Sequence, residues 1–238
     1  RYAEQKVTMP DGATATMICT IVDIEGEPRE ILFYIPENAS ELQPDGAPVI
    51  TVWAGGSQTN IIFFDSTCWW ETANQNGIAL IFTNEAYNTS VAVTPADVDA
   101  CYHAMLDLLE GWNDSGKFQF DLSRIYSTGQ SMGSMESQQF AQETPDYYAA
   151  VASTSFYQDY PDAHSDKPIP TYLINGEGNG KDDTDGVCHC GVVNGGALRG
   201  LAVQQAAQAF GSQNEVGGRD RAHEGSGHSG DPVVLLLL

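Results

Sequence analysis

Residues 124–135 read RIYSTGQSMGSM, and the way this stretch folds decides the rest of the chain. A β-branched and aromatic run leads into Gly129-Gln130-Ser131-Met132-Gly133, and helix-compatible residues leave it. A strand that ends at a serine and turns at once into a helix lifts the hydroxyl above the edge of a parallel sheet. The two glycines have a physical reason. The turn forces the serine into a strained backbone conformation, and a side chain at Gly129 or Gly133 would clash. Ser131 is therefore expected to be a nucleophile, the alternative being a serine that merely occupies a turn.

Working outward, apolar runs alternate with turn signals. TATMICTIVDI (14–24), REILFYIPE (29–37) and PVITVWAGG (48–56) read as three strands, separated by Glu25-Gly26-Glu27-Pro28 and Pro44-Asp45-Gly46. IALIFTNEA (78–86) lacks alternation, which suits a strand buried on both faces of a central parallel sheet. TPADVDACYHAMLDLLEGW (94–112) has an N-cap candidate at Thr94, Pro95 at the first helical position, and an apolar stripe at Val98, Tyr102, Met105, Leu109 and Trp112. Its opposite face carries Asp99, His103, Asp107 and Glu110, and His103 is expected to be a solvated surface residue. SRIYSTG, YYAAVASTS and IPTYLING read as further strands, with SMGSMESQQFAQE as a helix between the first two. Strands alternating with helices predict an α/β fold with right-handed crossovers. GEGNGKDDTDGVCHCGVVNGG (176–196) is expected to be loop, ALRGLAVQQAAQAFG (197–211) helical, and the final VVLLLL a last strand.

The composition excludes several partners. Thirty-two acidic against 10 basic residues give a net charge of -22 over 238 residues, which argues against nucleic acid and anionic membrane surfaces. No run reaches the length of about 18 apolar residues that a spanning helix needs. The opening RYAEQKVTMP, with neither a Met start nor an apolar signal core, reads as the start of a mature soluble chain. The length fits one domain, 1–238. Five cysteines, an odd number, make no dense disulfide scaffold and leave at least one unpaired within the chain; the reading favoured is a secreted acidic protein. The sequons at Asn38, Asn88 and Asn113 carry no weight.

A nucleophilic serine needs donors for the oxyanion of its tetrahedral intermediate. The backbone N–H of Met132, at the positive end of the following helix, is one candidate. The second is an N–H of Gly56 or Ser57, in the WAGGSQTN loop that follows PVITV.

Over about residues 30–178 these features resemble the secreted polyhydroxybutyrate depolymerase and feruloyl or acetylxylan esterase group of α/β-hydrolases. The resemblance rests on the glycine turn Gly55-Gly56, Trp70 before the Ala73-to-Gly77 helix end, the Asp121-to-Tyr126 lead-in and the Gly129-to-Gly133 motif. It implies a central, mostly parallel sheet flanked by helices and an ester hydrolase acting through Ser131. It also exposes departures. The group has histidine before the glycine turn, where this chain has Ala54, and an aspartate where alignment on Asn175-Gly176-Glu177-Gly178 places Asn179. An asparagine can orient an imidazole but cannot stabilise its charged form, and that exchange costs about 10⁴ in turnover. The acid is then Asp182 or Asp183, or Asn179 stands in its place.

Chain order in this fold is serine, acid, histidine. Of the histidines beyond the acid, His189 follows it too soon for another strand to intervene. His228, in Gly227-His228-Ser229, is the preferred base, with His223 the alternative. Such chemistry needs no metal and no organic cofactor. Cys188-His189-Cys190 lacks the second pair a zinc site needs, and Asp183-Thr184-Asp185-Gly186 lacks the distal glutamate of a calcium loop. Phe63, Phe64, Trp69 and Trp70 either pack the core or line an acyl or aryl pocket. The expected activity is hydrolysis of small or polymeric esters of polyester or plant-cell-wall type, in a chain that is free to form a homo-oligomer. The alternative is a weakly active or inactive hydrolase fold serving as an extracellular binding or self-assembly module.

Overall fold

A computed structural model describes residues 2–24, 26–56, 58–83, 95–154, 169–174, 189–194 and 197–201. The described strands form one sheet. They are β1 (Tyr2–Thr8), β2 (Thr14–Ile24), β3 (Glu27–Pro36), β4 (Ala47–Trp53), β5 (Ala79–Thr83), β6 (Phe120–Gln130), β7 (Ala150–Thr154), β8 (Ile169–Ile174), β9 (His189–Asn194) and β10 (Ala197–Leu201). Their order across the sheet is β1-β2-β3-β5-β4-β6-β7-β8-β9-β10. The central strands β5, β4, β6, β7 and β8 run parallel, and the strands on either side are antiparallel.

The helices are α1 (Ala39–Leu42), α2 (Asn60–Thr67), α3 (Trp69–Asn76), α4 (Pro95–Ser115) and α5 (Met132–Glu143). They cover both faces of the sheet, which is why β4 and β5 are buried at every residue and show no alternation. One core lies under α4 and α5, where Tyr102, Met105, Leu109 and Phe140 meet Ile31, Phe33, Val49, Trp53, Ile81 and Val151. The other lies under α2 and α3, where Phe63, Phe64, Trp70 and Ala73 meet Leu32, Tyr34, Ile50, Val52, Leu80 and Phe82. Strand residues of opposite parity feed the two cores, as the two-residue period of a strand demands. Each large apolar side chain so buried contributes about 1.5–3 kcal/mol.

Several short motifs now have physical reasons. Gly77 ends α3 in the left-handed region at φ 68, its N–H donating to the Ala73 carbonyl at 2.8 Å, so A-x-x-x-G is a helix stop. The Asp121-to-Tyr126 lead-in is a clamp. The Asp121 carboxylate accepts from the Ser123 N–H and hydroxyl at 3.0 and 2.6 Å and from Arg124 Nε at 2.6 Å. Arg124 in turn donates to the Gly46 carbonyl at 2.8 Å and to Gln43 at 3.3 Å, tying the start of β6 to the loop before β4. The Ser123 hydrogen bond, with Arg124 beside it, holds the Asp121 carboxyl below the usual carboxylate range.

The α4 stripe is confirmed at Tyr102, Met105 and Leu109, which are buried, and at Trp112, which packs edge-on against Phe33 with ring centroids 4.8 Å apart. Thr94 lies outside the described residues. The opening residues, for which the sequence pattern predicts no element, form β1, paired with β2 from Tyr2 opposite Thr20 to Thr8 opposite Thr14. Two readings need correction. The segment expected to be loop contains β9, antiparallel to β8 with His189 opposite Leu173 and Val193 opposite Ile169. The segment expected to be helical begins with β10, antiparallel to β9 with Ala197 opposite Asn194. Helix propensity over five residues is a weak bias, and pairing with a neighbouring strand outweighs it.

Candidate active site

β6 lies between β4 and β7, parallel to both, with Gly129 opposite Trp53 on one side and Ser153 on the other. Ser131 follows the last residue of β6 and immediately precedes α5. Its backbone sits at φ 57, ψ -113. A residue other than glycine rarely adopts this conformation, at a cost of about 1–3 kcal/mol, so the surrounding packing must impose it. Among the described residues only Cys68 shares a positive φ without being glycine. The Ser131 N–H donates to the Thr154 carbonyl at 3.0 Å, and the Ser131 carbonyl accepts from the Ser134 N–H at 3.0 Å. The residue is therefore held to β7 on one side and to the first turn of α5 on the other. Its side chain is exposed.

The flanking glycines are what allow the turn. A Cβ on Gly129 would fall onto the Gly133 carbonyl and stand 2.9 Å from Ser134 N; a Cβ on Gly133 would fall onto the Trp53 carbonyl and stand 2.9 Å from Ala54 O. Backbone meets backbone at both points. Small residues continue this close approach along α5, where the Ser127 and Ser137 hydroxyls meet at 3.1 Å and Gln138 donates to the Ser134 hydroxyl and carbonyl at 2.9 and 3.0 Å.

Met132 is the first residue of α5, so its N–H belongs to the first turn, whose donors lack an intrahelical carbonyl. The loop after β4 reaches the same place. The Gly55 N–H donates to Gln58 Oε1 at 3.1 Å and the Gln58 N–H to the Gly55 carbonyl at 3.2 Å, so the amide side chain of Gln58 closes the turn. A Cβ on Gly56 would lie 3.7–4.0 Å from the Met132 side chain, which puts this loop over the start of α5. Gly56 and Met132 are thus brought together, while Ser57 lies outside the described residues. Ala54 is 3 % exposed and its N–H donates to the Thr83 carbonyl at 3.3 Å, so this position is committed to the core.

Beside the turn, on the α2/α3 side, lies a cavity of about 290 Å³. Gly129, Gln130, Thr154 and Gln58 border it at the strand ends, and Phe63 and Trp69 supply its aromatic walls. Gln58, Gln130 and Thr154 were not singled out by sequence reasoning; the signal was their position in the two glycine turns and at the end of β7. The four aromatic residues divide. Phe63 and Trp69 reach the cavity, whereas Phe64 packs on Tyr34 and Phe82 with centroids 5.2 and 5.4 Å apart, and Trp70 is buried in the same core.

Asn179, Asp182, Asp183, His223 and His228 lie outside the described residues, as does Cys188. His189 does not: it is the first residue of β9 rather than part of a loop. His103 is exposed, as expected of a surface residue, and its Nε2 is hydrogen-bonded to the Tyr147 hydroxyl at 3.0 Å. No described helix is long and apolar enough to cross a membrane.

No protein-family model matches the chain, and no curated protein does. Solved structures similar to it include a ferulic acid esterase (14 % identity, TM-score 0.47, covering 71 % of this chain and 62 % of that one). An S-formylglutathione hydrolase from Staphylococcus aureus is also similar (17 %, TM-score 0.44, covering 65 % of this chain and 57 % of that one). A bacterial heroin esterase is similar too (21 %, TM-score 0.45, covering 67 % and 46 %). The chain thus spans less than two thirds of the length of each. A sheet whose five central strands run parallel, with helices on both faces and a middle strand that breaks at a strained serine between two close-packed glycines before a helix, is the α/β-hydrolase fold.

Proposed function

We propose that the protein is a serine esterase that cleaves carboxylic esters through an acyl-enzyme on Ser131. The observation that carries this reading is the backbone of Ser131, held at positive φ with its side chain exposed at the end of a central parallel strand. Strain of this kind persists only where the surroundings impose it, and here it sets an exposed serine immediately before the first turn of a helix.

In the proposed reaction the Ser131 Oγ attacks the ester carbonyl while a histidine, His228 or His223, takes its proton. The N–H groups of Met132 and of Gly56 or Ser57 then receive the oxyanion, each such donor being worth about 3 kcal/mol of transition-state stabilisation. Collapse of the intermediate expels the alcohol, which takes the proton back from the imidazole, and water repeats the sequence to release the acid. An acidic residue, Asp182 or Asp183 or the asparagine at 179 in its place, holds the imidazole in the required tautomer. The cavity beside Gly129 is the place for one arm of the substrate. Its aromatic walls suit the finer proposal of polyester or plant-cell-wall-type esters, met outside the cell.

Labelling with a fluorophosphonate probe tests the reading. Wild type is expected to take up one equivalent and to hydrolyse a short p-nitrophenyl ester. Ser131→Ala should lose both while keeping its circular dichroism spectrum. Hydrolysis retained in the purified variant would remove Ser131 from the mechanism. A wild type that neither labels nor turns over would favour the binding or self-assembly module.

A further inference from the structure

On the α4 side of the sheet, three side chains that the ester chemistry does not use converge on one point. Asp99 and His103 are one helical turn apart on α4, and Tyr147 comes from the segment between α5 and β7. The Tyr147 hydroxyl lies 2.6 Å from Asp99 Oδ1 and 3.0 Å from His103 Nε2, and His103 Nε2 lies 3.7 Å from Asp99 Oδ2. Donors about 2.1 Å from a common ion in tetrahedral or octahedral geometry stand about 3.0–3.4 Å from one another. The three separations bracket that spacing.

The phenol is also fixed in place. The Tyr147 ring stacks on Tyr102, with centroids 4.1 Å apart and planes 2° from parallel. The Tyr102 hydroxyl donates to the Tyr147 carbonyl at 3.0 Å, and the Tyr147 N–H donates to the Thr144 carbonyl at 3.0 Å. The Asp99 and His103 side chains are 47 % and 52 % exposed, so an ion can enter from solvent and complete its shell with water. A chain of net charge -22 attracts cations in general.

We propose that Asp99, His103 and Tyr147 form a binding site for a borderline divalent cation such as Zn²⁺. One imidazole nitrogen, one carboxylate and one phenol oxygen are an N/O set that suits zinc, copper or nickel better than calcium or magnesium. The cation replaces the hydrogen bonds that now join the three groups. Asp99 and His103 are the stronger donors; the neutral phenol is the weaker one. The site ties α4 to the segment after α5. None of its residues borders the cavity beside Gly129 and Gln130.

Zinc chloride titrated into the full chain in a non-chelating buffer tests the site by two readouts. Calorimetry should give a saturable site whose affinity falls by about tenfold or more in His103→Ala and in Asp99→Asn, and less in Tyr147→Phe, which keeps the stacked ring. Long-range ¹H–¹⁵N spectra of the imidazoles should show the His103 resonances, assigned by their loss in His103→Ala, shifting at the same zinc concentration. His103→Gln serves as the histidine variant should His103→Ala lose its native circular dichroism. His103 resonances that do not move up to millimolar zinc would overturn the proposal. So would an affinity unchanged in both α4 variants, which would place zinc elsewhere, Cys188-His189-Cys190 included.

Discussion

The chain makes two glycine turns at the same edge of the sheet, one after β6 and one after β4, and they need their glycines for different reasons. At Gly129 and Gly133 a Cβ would strike backbone carbonyls belonging to α5 and to β4 and the residue after it, atoms that cannot swing aside. At Gly55 a Cβ would stand 2.8 Å from Gln58 Oε1, the far end of a flexible side chain, and 3.3 Å from the Gln130 carbonyl. At Gly56 it would make only ordinary contacts with Met132. The turn after β6 is therefore a rigid junction of three backbones, and the turn after β4 is shaped by an amide side chain that can adjust. One holds a nucleophile in strain; the other can tune what the nucleophile meets.

The contrast is broken most directly at the rigid junction. Gly133→Ala and Gly129→Ala should each lower unfolding stability by about 3 kcal/mol or more, read by urea denaturation, because overpacking against backbone has no side-chain escape. A loss below about 1 kcal/mol in either would mean that α5 can slide away and that the junction is not rigid.

Strain at the tip should show with the opposite sign. Ser131→Gly removes the Cβ from a positive-φ position, so it should gain about 1 kcal/mol over wild type while losing fluorophosphonate labelling. If Ser131→Gly is no more stable than Ser131→Ala, the serine is unstrained in solution.

The adjustable turn should respond weakly. Gly55→Ala should cost about 1 kcal/mol and reduce ester hydrolysis by displacing Gln58, whereas Gly56→Ala should stay within about 0.5 kcal/mol of wild type. Equal penalties at the two positions would contradict the packing described for this loop.

The smallest effect is in pH. The folded state holds the Asp121 carboxyl below its unfolded value of about 3.9, so its contribution to stability is present above that value and is lost as pH falls through the folded one. Asp121→Asn should therefore flatten the acid limb of the stability curve and leave its alkaline limb unchanged. A parallel shift at all pH values would mean that Asp121 acts through its neutral hydrogen bonds alone.

What could be read in the chain was local chemistry repeated at the right intervals. The apolar run at 78–86, which lacks alternation, announced a strand covered on both faces, because a fully buried strand has no side to leave polar. The stripe on α4, the glycine stop at Gly77 and the strand-serine-helix order at 124–135 are likewise properties of a few consecutive residues. Weak local preferences misled where a partner strand was the deciding term, at 189–194 and 197–201. The tertiary structure alone decided which backbones press on Gly129 and Gly133, that Ala54 is committed to the core, and that Phe63 and Trp69 reach a cavity while Phe64 and Trp70 do not. It also turned His103 from a lone surface histidine into one corner of a triad, since Tyr147 is 44 residues away along the chain. Periodicity reports which face of an element is buried; it does not say which distant atoms arrive there.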